Sequence, residues 1–453
     1  MWIIVDSLRP IVDTLAPAFS HPSSVTNTSF FLAWVMSFGH KTILRVAEQQ
    51  HPDSPPDRSQ DHSFHPFYNF FERSAWTPAG LAQQVAILIL TRLTFTGCVT
   101  LLVDDTLLHK SGKSVWGIGW FRDAVASTRK RVATASGHNW VVVSIAFRIP
   151  GTDGLILALP LMSRLHRSGK GQPGCSTLAR QMIEEVLEWF PDRRFTLVGD
   201  GAYAAKTLLA DLPDRITFVG RLRGDAAVYD PRVPTPKKGQ RGRRAQKGPR
   251  LPSPKQAALK ADRKRTTTGD WVWQSIVVSI YGKTKELRAV SYEVVWWHVT
   301  GLRRLKIVVV RDPSGKMDDI YLFTTDLQAS AEWVITQFAW RWSIEVLFRG
   351  SKQVMEIESP QHRCRSSVEK VAPWVWSMQS VIMVWYLTEG QTTSEAVESR
   401  SRMGEWDSEW SLRHMVRVMR SVILNATFDT NSADPSQLLQ MVQTLKSWGN
   451  MAV

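Results

Sequence analysis

A charged stripe runs along one side of a predicted helix near residue 340. The stretch FAWRWSIEVLFRGSK, residues 338–352, places Arg341, Glu345 and Lys352 among aromatic and aliphatic side chains. At 100° per residue these three fall with Phe338 and Phe348 within an arc of about 80°. One interpretation is an Arg341–Glu345 ion pair, which stabilises a helix by about 0.2–0.5 kcal/mol. The other is a metal-binding carboxylate whose neighbouring cations hold a phosphate backbone.

Two further carboxylates end apolar segments that read as buried strands. Asp105 closes CVTLLVDD (98–105), and Asp200 closes RFTLVGD (194–200). Taken singly, each aspartate is typical of a helix N-cap or a turn. If the two strands are parallel neighbours, however, both side chains emerge at one sheet edge. With Glu345 they would bind two magnesium ions about 4 Å apart, a pair that activates a water or a 3′-hydroxyl at a phosphodiester.

The elements that must position these residues divide along the chain. Residues 1–95 read as mainly helical, with Thr77 capping a helix that starts at Pro78. Residues 96–215 contain strands, a hairpin around GTDG and a helix at 175–190 with Ser176 as its N-cap. This alternation predicts an α/β fold with a mixed sheet.

The second half of the chain reads as an insertion followed by more helices. Residues 216–329 contain a basic segment at 234–268, interpreted as a loop, and then strand-like runs that predict an antiparallel β unit. Residues 330–392 return to helices, one capped by Ser330 and running through Lys352, the next at 367–388. A mainly helical region follows at 393–453.

Composition points to a polyanionic partner. The 453 residues are 43% hydrophobic and 21% charged, which excludes a disordered or fibrous chain, and the net charge is +15. Residues 237–265 contain twelve Lys or Arg and one acid, Asp262, so this segment contributes +11 to the net charge. It is most simply a nonspecific phosphate binder. Its candidate phosphate contacts are Lys237, Lys238, Arg241, Arg243 and Arg244.

Other features bear on the location of the protein. Three widely spaced cysteines give neither a disulfide framework nor a zinc site, which favours a reducing compartment. The N-terminus has no basic leader before its apolar residues. The apolar stretches 85–103 and 371–387 are both interrupted by polar residues, so we expect a soluble protein and no membrane partner.

The sequence resembles the DDE transposases of bacterial insertion sequences, in the branch with a Y-(2)-R-(3)-E-(6)-K signature. Phe338, Arg341, Glu345 and Lys352 match all three spacings, with phenylalanine in place of tyrosine. The resemblance extends to VDDT (103–106), GDGAY (199–203), LFTTD, GHNW (137–140) and KQVMEIESPQ, and it covers roughly residues 30–390.

The resemblance implies a ribonuclease-H-like core interrupted by a β-strand insertion domain, with helical N- and C-terminal regions. It implies that Asp105, Asp200 and Glu345 are the catalytic metal ligands, for two Mg²⁺ or Mn²⁺ ions. Asp105 is preferred over Asp104 because it directly precedes Thr106, and a one-residue strand shift would reverse the choice. Arg341 and Lys352 would contact DNA near the cleaved end. An insertion-domain tryptophan, with Trp296 and Trp297 as candidates, would stack a flipped base.

The expected function is transposition. The protein would bind the terminal inverted repeats of its element and target DNA as a homodimer or larger assembly. It would cleave the ends by hydrolysis and join the 3′-hydroxyl by transesterification, in the cytoplasm at the bacterial chromosome. Two alternatives stay open: a catalytically inactive DNA-binding relative, and a metal-dependent nuclease without strand transfer.

Overall fold

A computed structural model describes residues 2–49, 64–128, 130–234, 245–263, 271–280, 282–404 and 407–428. The described part of residues 1–95 is helical, as the sequence predicts. Its helices are α1 (Arg9–Asp13), α2 (His21–Met36), α3 (Ile43–Glu48), α4 (His65–Glu72) and α5 (Pro78–Arg92), with a 3-10 turn at Ala16–Ala18. The predicted cap of α5 is confirmed, since the Thr77 side chain accepts a hydrogen bond from the Gly80 amide.

The central region alternates strands and helices. Its elements are β1 (Val99–His109), β2 (Gly119–Arg122), β3 (Thr134–Arg148), β4 (Ile156–His166), α6 (Cys175–Trp189), β5 (Phe195–Gly199), α7 (Lys206–Leu209) and β6 (Ile216–Arg221). The hairpin predicted at GTDG is the β3–β4 pair. The cap predicted for α6 is wrong: Gly174 occupies the N-cap position, and the Ser176 hydroxyl bonds to the Ala202 carbonyl.

The remaining elements complete the sheet and cover it. They are α8 (Pro254–Arg263), β7 (Gln274–Ile280), β8 (Lys283–Val295), α9 (Trp297–Thr300), β9 (Arg304–Arg311), β10 (Ile320–Thr324), α10 (Ala331–Trp340), α11 (Trp342–Gln353), α12 (Arg365–Thr388), α13 (Ser394–Ser401) and α14 (Leu412–Thr427), with a 3-10 turn at Gly390–Thr392.

One mixed sheet contains all ten strands of the described residues, so the predicted mixed α/β class is confirmed. The order is β2-β3-β1-β5-β6-β10-β9-β8-β7, and β4 also pairs with β3. The β1, β5 and β6 strands are parallel, whereas the other pairs are antiparallel. The strands predicted for the insertion are antiparallel, and they continue the core sheet through the β6–β10 pair. The predicted boundaries of an insertion domain stay a prediction.

The β1 strand does not end at its aspartates, as the sequence led us to expect. Its parallel pairing with β5 stops at Val103 and Gly199, but its antiparallel pairing with the longer β3 continues to His109. Beyond the aspartates, Leu107 and Leu108 are both buried, which gives this half of the strand apolar contacts of its own. Asp104 and Asp105 therefore lie in the part of β1 that pairs with β3 but no longer with β5.

The helix that carries the charged stripe is divided. Ser330 caps α10 as predicted, by accepting a hydrogen bond from the Trp333 amide. Arg341 separates α10 from α11 while keeping right-handed helical dihedral angles (φ −52°, ψ −32°). The predicted stripe therefore survives across two helices. The α12 helix, predicted at 367–388, is buried along most of its length beside β4, α5 and α11, and it forms the centre of the core.

The basic segment is partly a helix. The interpretation of 234–268 as a loop is wrong for α8, because Ala257, Ala258 and Ala261 share a helical face that is buried beside β8 and β9. Positions 235–244, including Lys237, Lys238, Arg241, Arg243 and Arg244, lie outside the described residues, as do positions 429–453 of the predicted C-terminal helical region. Among the residues that the structure describes, no helix is long and apolar enough to cross a membrane.

Candidate active site

The parallel strands β1 and β5 bring two aspartates to one edge of the sheet. Val103 lies opposite Gly199 in the register, so Asp104 and Asp200 follow it as the next neighbours. Residues at equivalent positions of parallel strands point to the same face. The Asp200 carboxylate accepts a hydrogen bond from the Ala202 amide at 2.8 Å, which fixes it in the turn after β5.

Arg341 connects Asp104 to Glu345. Its Nη1 donates to Asp104 Oδ2 at 2.8 Å, and its Nη2 donates to Glu345 Oε1 at 2.5 Å. The Arg341 and Asp104 side chains are each 18% exposed, whereas that of Glu345 is 34% exposed. The ion pair inferred from helical spacing therefore exists, and it is one half of a bridge between α11 and β1.

Asp105 faces the other side of β1, because successive residues of a strand point to opposite faces. Its carboxylate accepts hydrogen bonds from Asn139 Nδ2 at 3.1 Å and from the Tyr203 hydroxyl at 3.2 Å. Cys175, at the start of α6, lies 3.7 Å from the same amide nitrogen. Burial and the Asp105 charge raise the pKa of Cys175 to about 12, so this thiol stays protonated.

In the structure Asp104, rather than Asp105, therefore points to the side of β1 on which Glu345 of α11 lies. The role predicted for Asp105 stays a prediction. The sequence did not assign Asn139 and Tyr203 any role, although both belong to the noted segments GHNW and GDGAY. A polar residue inside an apolar strand and a tyrosine three positions after a candidate ligand are the signals that could have identified them.

The negative charges at the β1–β5 edge of the sheet favour binding of a cation there. Burial raises the pKa of Asp104 to about 7, Arg341 opposes this rise, and the charges of Asp200 and Asp105 add to it. Oxygen ligands of this kind suit Mg²⁺, and a divalent ion would relieve the same repulsion. Among the described residues no three His, Cys, Asp or Glu side chains already form a metal-binding group. The carboxylate oxygens thus fit a divalent metal ion, and the Arg341 guanidinium lies between two of the carboxylates, those of Asp104 and Glu345.

The other residues of the signature lie around this edge. The Arg341 guanidinium carbon is 5.9 Å from the centre of the Phe338 ring. Lys352 Nζ donates to the Leu107 carbonyl at 2.6 Å and lies 3.7 Å from Glu358 Oε1. Lys352 therefore anchors α11 to the end of β1. Of the tryptophans considered for base stacking, Trp296 packs edge-on against Phe323 and Trp297 begins α9.

A mixed α/β sheet thus carries Asp104 and Asp200 on neighbouring parallel strands, with Glu345 of α11 joined to Asp104 through Arg341. A family model described as a DDE superfamily endonuclease matches residues 14–285, and one described as the archaeal putative transposase ISC1217 matches residues 286–367. Because the first match spans more than half of the sequence, the chain belongs to the DDE superfamily of endonucleases.

Among solved structures the chain is similar to the piggyBac transposase in its synaptic complex with hairpin DNA. The identity is 10% and the TM-score is 0.39, over 98% of this chain and 83% of that one. No curated protein matches the sequence.

Proposed function

We propose that this DDE superfamily protein is a DNA transposase with a ribonuclease-H-like core. It binds the terminal inverted repeats of its own element, cleaves the ends by hydrolysis and joins the 3′-hydroxyl to target DNA by transesterification. The observation that supports this most directly is the Arg341 bridge between Asp104 on β1 and Glu345 on α11, beside Asp200, which directly follows the parallel strand β5. The family model for an archaeal putative transposase over residues 286–367 supports transposition over other endonuclease reactions.

Asp200, Glu345 and one β1 aspartate would hold the metal ions, and we propose Asp104 for the third position. Asp104 points to the side of β1 on which Arg341 and Glu345 lie. Asp105 points to the opposite side, where it is hydrogen-bonded by Asn139 and Tyr203. When bound, the divalent ions would activate a water or a DNA 3′-hydroxyl as the nucleophile and would stabilise the leaving oxygen. Arg341 neutralises the carboxylates in the metal-free site, and its guanidinium is free to turn to a DNA phosphate once they bind a cation.

DNA is held by cations around this edge and beyond it. Phe338 lies in the last turn of α10 and Arg341 at the junction with α11, and Lys352 near the end of α11 fixes the strand that carries the aspartates. The basic positions 237–244 add phosphate contacts that do not depend on base sequence. Assembly as a dimer or larger complex on the two ends is part of this proposal.

A cleavage and joining assay tests the proposal. Labelled DNA carrying the repeats that flank the gene is incubated with the protein and Mg²⁺ or Mn²⁺, beside the variants Asp200→Asn and Glu345→Gln. We expect metal-dependent nicks at the repeat boundary and joined products, both lost in the variants while DNA binding survives. Cleavage without joined products would show a nuclease. Tight binding with no cleavage in either metal would show an inactive relative in which Arg341–Glu345 is only an ion pair.

A further inference from the structure

A second cleft opens at the free edge of β4, outside the carboxylate site. Its volume is about 780 Å³, and it lies between the N-terminal ends of α5 and α12, the second half of β4 and the segment after β1. In the described chain β4 pairs only with β3, so its outer edge borders this space. The residues that matter for its chemistry are Trp76, Trp116, Arg167, Arg365 and Lys370.

Trp116 lines this cleft beside two arginines. The guanidinium carbons of Arg167 and Arg365 lie 4.9 Å and 5.3 Å from the centre of its ring. Its backbone is fixed on both sides, because its amide donates to the Arg363 carbonyl at 3.0 Å and its carbonyl is 2.9 Å from His138 Nε2. The ring is therefore presented from an anchored backbone and is only half-buried.

The cations of the cleft are weakly compensated. Arg167 donates to the neutral Gln172 side chain at 2.6 Å, and Lys370 donates to the Ser74 carbonyl at 2.6 Å. Arg365 pairs with Glu369 at 3.2 Å, but both side chains are exposed, and such pairs contribute little. Arg164 also lines the cleft but is paired with Glu185 of α6, so three other cations, Arg167, Arg365 and Lys370, are set against one lining acid, Glu369. An anionic ligand is thus favoured.

Aromatic rings interleaved with cations are the surface on which unpaired nucleic acid binds, since bases stack on the rings and phosphates contact the cations. The cleft is also close to the reaction. Asp104 lies opposite Val142, and Val142 lies opposite Ser163, which lines the cleft. Two strand spacings amount to roughly 10 Å. At about 3.4 Å per nucleotide along one strand of a duplex, this is a distance of about three nucleotides.

We propose that this cleft binds single-stranded DNA, with a base stacked on Trp116 and phosphates at Arg167 and Lys370. The strand bound there is one that becomes unpaired beside the cleaved position. The inference rests on the proposed function for its choice of DNA as the ligand, but binding in the cleft requires neither a metal ion nor cleavage.

The test measures binding of a labelled 12-nucleotide oligothymidine to the full chain in EDTA, beside a duplex of the same length. We expect Trp116→Ala to weaken oligothymidine binding about tenfold or more, the effect of losing one stacked base, and Trp116→Phe to restore most of it. Arg167→Ala should also weaken it, whereas Arg193→Ala, an exposed cation before β5 at the opposite end of that strand from Asp200, should not. Duplex affinity should change less than twofold in every variant.

Two results would overturn the inference: unchanged oligothymidine affinity in Trp116→Ala, or equal losses for single-stranded and duplex DNA. Ultraviolet crosslinking of iodouracil-substituted oligonucleotide to the wild-type chain covers the case in which a variant fails to fold. Crosslinks at Trp116 support the cleft, and crosslinks only elsewhere refute it. The cleavage assay is separate, so Trp116-dependent binding without any cleavage would refute the transposase proposal and leave the cleft standing.

Discussion

The two adjacent aspartates of β1 have different partners, and this difference predicts different mutational effects. Asp104 contacts Arg341, whereas Asp105 contacts Asn139 and Tyr203. If Asp104 is a metal ligand and Asp105 only positions the strand, Asp104→Asn should reduce cleavage by more than about 100-fold. Asp105→Asn should reduce it by roughly 10- to 100-fold, the usual range for groups that support a ligand. Single-turnover cleavage of an intact, un-nicked end, with Mg²⁺ varied, measures both.

Metal dependence separates the two roles further. Because a ligand change weakens metal binding directly, the Asp104→Asn defect should shrink at high Mn²⁺ concentration, whereas that of Asp105→Asn should not. Tyr203→Phe removes one hydrogen bond to Asp105 without changing a charge and is the matched control, expected to behave like a mild Asp105→Asn. The reverse order of defects would restore Asp105 to the ligand set that the signature resemblance implies.

A histidine outside the reaction site predicts how stability depends on pH. Burial, with Lys110 and His138 nearby, lowers the pKa of His362 to about 3. The folded chain therefore binds this proton less tightly than the unfolded chain, whose histidine pKa is about 6.5, so stability falls as the pH drops below that value. Between pH 7.5 and pH 5 the loss should be about 2 kcal/mol, at 1.36 kcal/mol per pKa unit.

Urea unfolding at both pH values measures this loss. The His362→Gln variant should lose about 2 kcal/mol less than the wild type between the two conditions, whatever its stability at pH 7.5. The exposed His298 serves as the control position, and His298→Gln should follow the wild type. An identical pH dependence in the wild type and His362→Gln would show that this imidazole is not the source of the acid sensitivity.

At the scale of elements, periodicity in the sequence predicted which segments form helices and strands, but not which face of a strand each side chain occupies. The 3.6-residue period placed Arg341 and Glu345 together, and the break between α10 and α11 leaves them in contact. A strand has period two, so choosing between Asp104 and Asp105 requires the direction of one side chain, which depends on pairing with β3 and β5. The α8 helix was not predicted, because the many basic residues of this segment favoured a loop over a helix with a buried alanine face.

The β1–β3 pair, which carries the aspartates past the end of β5, depends on a close backbone approach. A Cβ added at Gly137 would lie 2.2 Å from the Leu108 carbonyl oxygen. We therefore expect Gly137→Ala to lower the free energy of unfolding by about 1–3 kcal/mol, the usual cost of overpacking, and to reduce cleavage by displacing β1. At Gly201 the nearest atom would be 3.6 Å away, so Gly201→Ala should leave stability nearly unchanged in the same denaturation series. Equal effects of the two substitutions would contradict this account of β1.

At the scale of the whole molecule, the sheet is continuous across the predicted insertion. The β6–β10 pair joins the parallel core to the antiparallel strands, so the carboxylate edge and β7–β9 belong to one hydrogen-bonded layer. Sequence patterns could predict the strands on both sides, because each is an apolar run bounded by turn residues. They could not predict this junction, since it depends on a pairing between residues about one hundred positions apart.

The net charge of +15 is a property of the whole chain, and it predicts how duplex binding responds to salt. For duplex DNA, log K falls against log salt with a slope of about −0.9 per neutralised phosphate. Replacing Lys237, Lys238, Arg241, Arg243 and Arg244 by glutamine removes five of the cations between residues 237 and 265. If all five contact phosphates, the slope should become shallower by about 4.5, with little change in thermal stability. Fluorescence anisotropy with a labelled duplex between 50 and 200 mM NaCl gives the slope, and an unchanged slope would show that these cations do not contact the DNA backbone.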